Sequence, residues 1–237
     1  MNYDLTQGSI MKNLLKFAFP IMVGNMLQQL YNVVDTLIVG RYLGEHALAA
    51  VGSAYTLMVF VTSVILGLCM GSSAFFSMQF GGRNYDRLEK GLFIAFLSIG
   101  AVSAALNILV YAGMDFLLVF LKVPHEVAPL MEEYLVWIFA GIMAVFLYNF
   151  VANLLRAVGN SMVPLCFLGA SAILNIVLDI LFIRAFGWGV GGAAAATVLS
   201  QYLAGIGILL YYYVNYPQLR VHKENRRFDV GILKELA

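Results

Sequence analysis

The chain has 237 residues, 62% of them hydrophobic and only 11% charged, with a mean hydropathy of +0.86 and a formal net charge of +1. A soluble domain carries roughly 25% charged residues, so this much apolar side chain cannot be hidden in a water-soluble core and requires the bilayer as a second solvent. Basic residues neither outnumber the acids strongly nor gather on one face, which excludes nucleic acid as a partner.

Six apolar runs reach the roughly 20 residues needed to cross a membrane: 14–39, 48–76, 92–121, 127–155, 162–185 and 190–213. They predict an all-α integral membrane protein, a bundle of six transmembrane helices. A polar segment, 1–13, precedes it and a tail, 214–237, follows. The first apolar run is too long for a signal peptide and reads as a retained helix.

In the first run, Pro20 is a candidate kink, and Asn25, Gln28, Asn32 and Asp35 fall within about 80° of one another on a helical wheel. Such a stripe turns one side of the helix toward protein or water. The second run carries Gly67 and Gly71, a GxxxG step that lets helix backbones approach in lipid. The third ends near Asp115, where a carboxylate reaches water. The fourth opens with Tyr134 and Trp137 and carries Asn149 and Asn153 further in, candidate cavity-lining amides. In the fifth, Asn175 and Asp179 are one turn apart on one face. The sixth opens on Gly191, Gly192 and alanines 193–196, a small-residue surface expected to pack closely, followed by Thr197 and Gln201 at the same spacing. Trp188 reads as an interfacial anchor, and the basic tail around Arg220–Arg227 as a contact for anionic headgroups. Cys69 and Cys166 sit in apolar runs and read as small hydrophobes, with no spacing that would hold a metal.

Of the 14 Lys and Arg residues, 11 fall on the side that also receives both termini. The positive-inside rule therefore predicts cytoplasmic termini. With that orientation, Asp35, Tyr134, Asp179 and Thr197 lie about 8–11 Å below the outer surface, at 1.5 Å per residue. Four polar groups at matched depth on four helices can converge on one site. A carboxylate inside hydrocarbon costs at least about 2.5 kcal/mol and marks an ion or proton path by default. Asp35 and Asp179 are thus the candidate coupling-ion acids, with Asn175 and Thr197 as further hard oxygen ligands for Na⁺ and no other cofactor. The same oxygens could serve a proton instead. None of His46, His125 and His222 lies in a span, so an intramembrane enzyme has no histidine base.

At these residues the chain resembles the multidrug and toxic compound extrusion (MATE) family. The resemblance rests on the Pro20 helix leading to Val34-Asp35-Thr36 and Gly40, on Gln79-Phe80-Gly81-Gly82, and on Arg156-Ala157-Val158-Gly159-Asn160. Asn175-Ile176-Val177-Leu178-Asp179 and the segment 189–197 complete it. It implies a two-lobe transporter of about twelve helices in the bacterial cytoplasmic membrane. Na⁺ or H⁺ entering from outside would drive export of small amphipathic, often cationic, organic compounds by alternating access. It also implies a cation site at Asp35, Asn175, Asp179 and Thr197 with Tyr134 nearby. On that pattern the chain corresponds to the N-terminal lobe, with 232–236 leading toward a second lobe. The alternatives are a lipid-linked glycan flippase of the wider superfamily and a truncated lobe that does not transport.

Overall fold

The structure, a computed structural model, describes residues 10–226 and 229–236, and among them it is helical almost throughout, with no strand. The helices are α1 (Ile10–Leu43), α2 (Glu45–Gly81), α3 (Tyr85–Ala112), α4 (Met114–Phe120), α5 (Ala128–Ala140), α6 (Ile142–Ala157), α7 (Met162–Ile180), α8 (Gly189–Asn215) and α9 (Val230–Leu236). A π-helical turn, Leu181–Ala185, prolongs α7. Most of the predicted N-terminal segment, residues 1–9, and Arg227 of the basic tail lie outside the described residues.

Lipid solvates no backbone groups, so only segments that satisfy their own hydrogen bonds can cross it. Four helices are long and apolar enough alone: α2, α3, α7 with its π-turn, and α8; the pair α5 and α6, bent by 42°, makes a fifth. Helix α1 has the length, 34 residues, but its amides and Asp35 deny it the uniform apolarity expected. It is a two-sided helix. Met11, Leu15, Phe19, Met22, Met26, Leu30, Val33 and Leu37 form an exposed apolar stripe at three- and four-residue intervals. Beside that stripe, Asn25, Gln28, Gln29 and Thr36 are exposed as well. The opposite side, with Pro20, Gly24, Asp35 and Val39, is buried.

Helix α1 is continuous in its helical assignment through Pro20. Two further expectations are corrected. The third span stops at Gly113, whose N–H caps Leu109, and α4 begins anew at Met114. The fourth span breaks at Gly141, where the N–H groups of both Ala144 and Val145 bond to the Gly141 carbonyl. The Phe139 and Ala140 carbonyls just before the break accept instead from the Asn107 amide of α3 and the Tyr202 hydroxyl of α8. Side chains of neighbouring helices thus replace the lost ladder, as they must in a membrane.

Helix α8 is the centre of the bundle, packed against α5, α6, α7 and α1. Gly191, Gly192 and alanines 193–196 are all buried, as the small-residue surface predicted. The GxxxG step does not pack: nothing lies within 4 Å of where a Cβ on Gly67 or Gly71 would sit. The close approaches are elsewhere. A Cβ on Gly91 would overlap the Phe75 ring, and one on Gly141 would meet Val198 Cγ2 at 2.8 Å. Cys69 is buried, whereas Cys166 is exposed on the bundle surface.

Candidate functional site

The polar residues predicted at matched depth meet. Asp35, Tyr134, Asp179 and Thr197 each stand six to eight residues from the same end of the bundle, on α1, α5, α7 and α8. Helix α1 packs along α7 and touches α8, while α5 lies against α8, so four helices turn these side chains toward one point. Exposure is 0% for Asp179, 1% for Asn175, 3% for Thr197 and Tyr134, and 7% for Asp35. All five are therefore withdrawn from both lipid and water.

The Asn175 amide connects two of the helices. With its nitrogen donating to Asp179 Oδ2 at 3.1 Å, its oxygen accepts from Thr197 Oγ1 at 3.1 Å and from the Thr197 backbone N–H at 3.2 Å. The opposite amide orientation would set its oxygen against a carboxylate oxygen, so the network selects this one. Asp35 and Asp179 lie within hydrogen-bonding reach of each other. One oxygen of each, Asp35 Oδ1 and Asp179 Oδ1, has no partner among the described residues. Tyr134 is buried alongside both acids.

Tyr31 was not among the residues singled out from sequence. It lies close to Thr197 and to both acids. Its signal was its position one turn before Asp35, on the same face. In an apolar count, a tyrosine passes as a hydrophobe. The remaining candidates stay outside the cluster. Asn25 and Gln28 are exposed on the polar face of α1, and Asn32 is half-buried with its amide 3.5 Å from Gln29 Oε1. Asn149 and Asn153 donate back to their own helix, to the carbonyls of Val145 and Asn149 at 2.9 Å each. Gln201 faces the break at Gly141.

Two carboxylates facing each other in a low-dielectric interior repel strongly unless a proton or a cation sits between them. Carboxylate, amide and hydroxyl oxygens are hard donors, suited to an alkali cation or a proton rather than a soft transition metal. No group of three or more His, Cys, Asp or Glu side chains gathers among the described residues. The π-turn begins two residues after Asp179, and such interruptions of α-helix recur at functional sites.

A family model described as MatE matches residues 20–181, which contain Asp35, Tyr134, Asn175 and Asp179. The chain belongs to the MatE family. "Probable multidrug resistance protein YpnP" of Bacillus subtilis is 37% identical over 209 residues, covering 88% of this chain and 47% of that protein. The multidrug export protein MepA of Staphylococcus aureus is 26% identical over 239 residues, covering 99% of this chain and 52% of that protein. Among solved structures, an outward-facing multidrug resistance MATE family transporter of the MOP superfamily aligns with a TM-score of 0.88 and 26% identity, over 97% of this chain and 51% of that one. A MOP superfamily transporter from Pyrococcus furiosus aligns equally well, with a TM-score of 0.88 and 26% identity, over 98% of this chain and 51% of that one. This MatE chain thus spans about half the length of the curated relatives it matches. It has the fold of a membrane transporter lobe, in a family of transporters rather than enzymes.

Proposed function

We propose that this chain is the N-terminal lobe of a cation-coupled antiporter that exports amphipathic, cationic organic compounds, working with a second six-helix lobe. The observation that carries the reading is the buried pair Asp35 and Asp179, on α1 and α7, with Asn175, Thr197, Tyr134 and Tyr31 around it. A Na⁺ ion or a proton entering from the outer side neutralises the pair and draws α1 against α7 and α8. Its departure restores the repulsion and loosens α1 from that contact. Because α1 also presents the exposed polar face with Asn25 and Gln28, its position would couple ion occupancy to the wall of a substrate cleft shared with the second lobe. On this reading residues 14–213 form the lobe, 214–237 link it onward, and the protein lies in the bacterial cytoplasmic membrane with both termini inside.

The test is a cation titration of the purified chain. Saturable Na⁺ binding should disappear in both Asp35→Asn and Asp179→Asn. Proton uptake near neutral pH without Na⁺ binding would assign proton coupling to the same pair. If the unaltered chain shows neither, the acids are structural and the reading fails.

A further inference from the structure

Outside the candidate site, a second feature is built by the tail and α3. Glu89, in the first turns of α3, is only 5% exposed. Its carboxylate accepts from the His222 backbone N–H, from Asn225 Nδ2 and, through either oxygen, pairs with His222 Nδ1, all at 3.0 Å. The segment after α8 is thereby strapped across the basic end of the bundle. Leu219 and Ile232 of that segment are themselves buried, and Arg87 pairs with Glu235 further along.

The strap closes the end of an apolar groove. Phe93 and Phe96 of α3, Phe150 and Leu154 of α6, and Leu209 of α8 line a cavity of about 260 Å³, with Arg226 at its mouth. Helix α6 forms the floor, since it packs against both α3 and α8. No residue of α1 lines the groove. Arg226 is exposed and makes no salt bridge among the described residues. Its place at the mouth is fixed by its neighbour Asn225, held on Glu89.

We infer that this groove binds one anionic phospholipid of the leaflet at the basic end, an acyl chain lying along α6 and the phosphate on Arg226. The chemistry is complementary at both ends. An aromatic and aliphatic trough at hydrocarbon depth takes a chain, and a guanidinium without a salt bridge among the described residues, at headgroup depth, takes a phosphate. The strap makes the site in advance of binding, so the arginine loses little freedom when the lipid arrives.

Native mass spectrometry of the purified chain, released from micelles holding equal phosphatidylglycerol and phosphatidylcholine, tests this. Retention of one phosphatidylglycerol in preference to phosphatidylcholine is expected. Arg226→Gln should lower that preference about fivefold, the share of one surface arginine. Glu89→Ala, which frees the strap and with it Val221 and Arg226 of the groove lining, should lower it as well. Leu209→Trp should reduce retention of both lipids by filling the trough. Equal retention of the two lipids, unchanged by these variants, would overturn the inference. So would displacement of the lipid by free glycerol phosphate, which would mean a headgroup site alone, or a second copy of the chain retained in its place.

Discussion

At the scale of single residues, Asp35 and Asp179 are informative because of what surrounds them. Each is buried, each keeps one oxygen without a partner among the described residues, and the two face each other across α1 and α7. An interhelical seam needs only amides, which bring no charge penalty, and Asn175 with Thr197 already supplies one. Tyr31 adds a contact that ties α1 to α8 through Thr197. Removing that hydroxyl in Tyr31→Phe should weaken cation binding about fivefold, the equivalent of one net hydrogen bond of about 1 kcal/mol. The cation titration reads it directly, and an unchanged affinity would remove Tyr31 from the site.

At the scale of elements, glycines decide how near the helices come. Gly91 lets α3 close on the Phe75 ring of α2, leaving no room for a Cβ. Gly91→Ala should therefore destabilise the bundle by about 1–3 kcal/mol through overpacking. Gly67→Ala meets open space and should be neutral, or stabilising by up to about 1 kcal/mol through helix propensity. Thermal unfolding in detergent compares the two, and equal losses would refute the packing account. Gly141 has a different task. It breaks the α5–α6 span where Asn107 and Tyr202 can take over the freed carbonyls, and Val198 of α8, next to Thr197, packs into the space it leaves. The break and the site are thus structurally adjacent.

At the scale of the whole molecule, the bundle has two unlike outer faces. One is helix α1, where the apolar stripe runs beside the polar residues that a second lobe would cover on the proposed reading; the other holds the apolar groove between α3, α6 and α8. The orientation proposed from the basic residues has a direct check. In a Cys166→Ala background, the His125→Cys variant should react with a membrane-impermeant maleimide added to whole cells, whereas Glu224→Cys should react only after lysis. Both positions are exposed. The reverse pattern would invert the topology and place the buried acids near the inner surface.

The apolar runs determined, without any tertiary information, that this is a helical membrane protein, because about 20 residues without charge have no other stable solvent. The acids at Asp35 and Asp179 were legible for the same reason: a charge in hydrocarbon stands out by its cost. Matched depth was legible too, since helical rise converts residue number into distance. Tertiary structure alone decided which side of each helix faces inward. Wheel angle placed Asn25, Gln28 and Asp35 in one stripe, yet only Asp35 is buried, because α7 and α8 pack on one edge of that stripe and leave the rest open. The breaks at Gly113 and Gly141 were hidden because glycine is common within transmembrane helices. A glycine becomes a break only where neighbouring side chains, such as Asn107 and Tyr202, can satisfy the backbone it releases. Likewise the bond between Glu89 and the tail joins residues 133 apart in sequence, a pairing that no local pattern encodes.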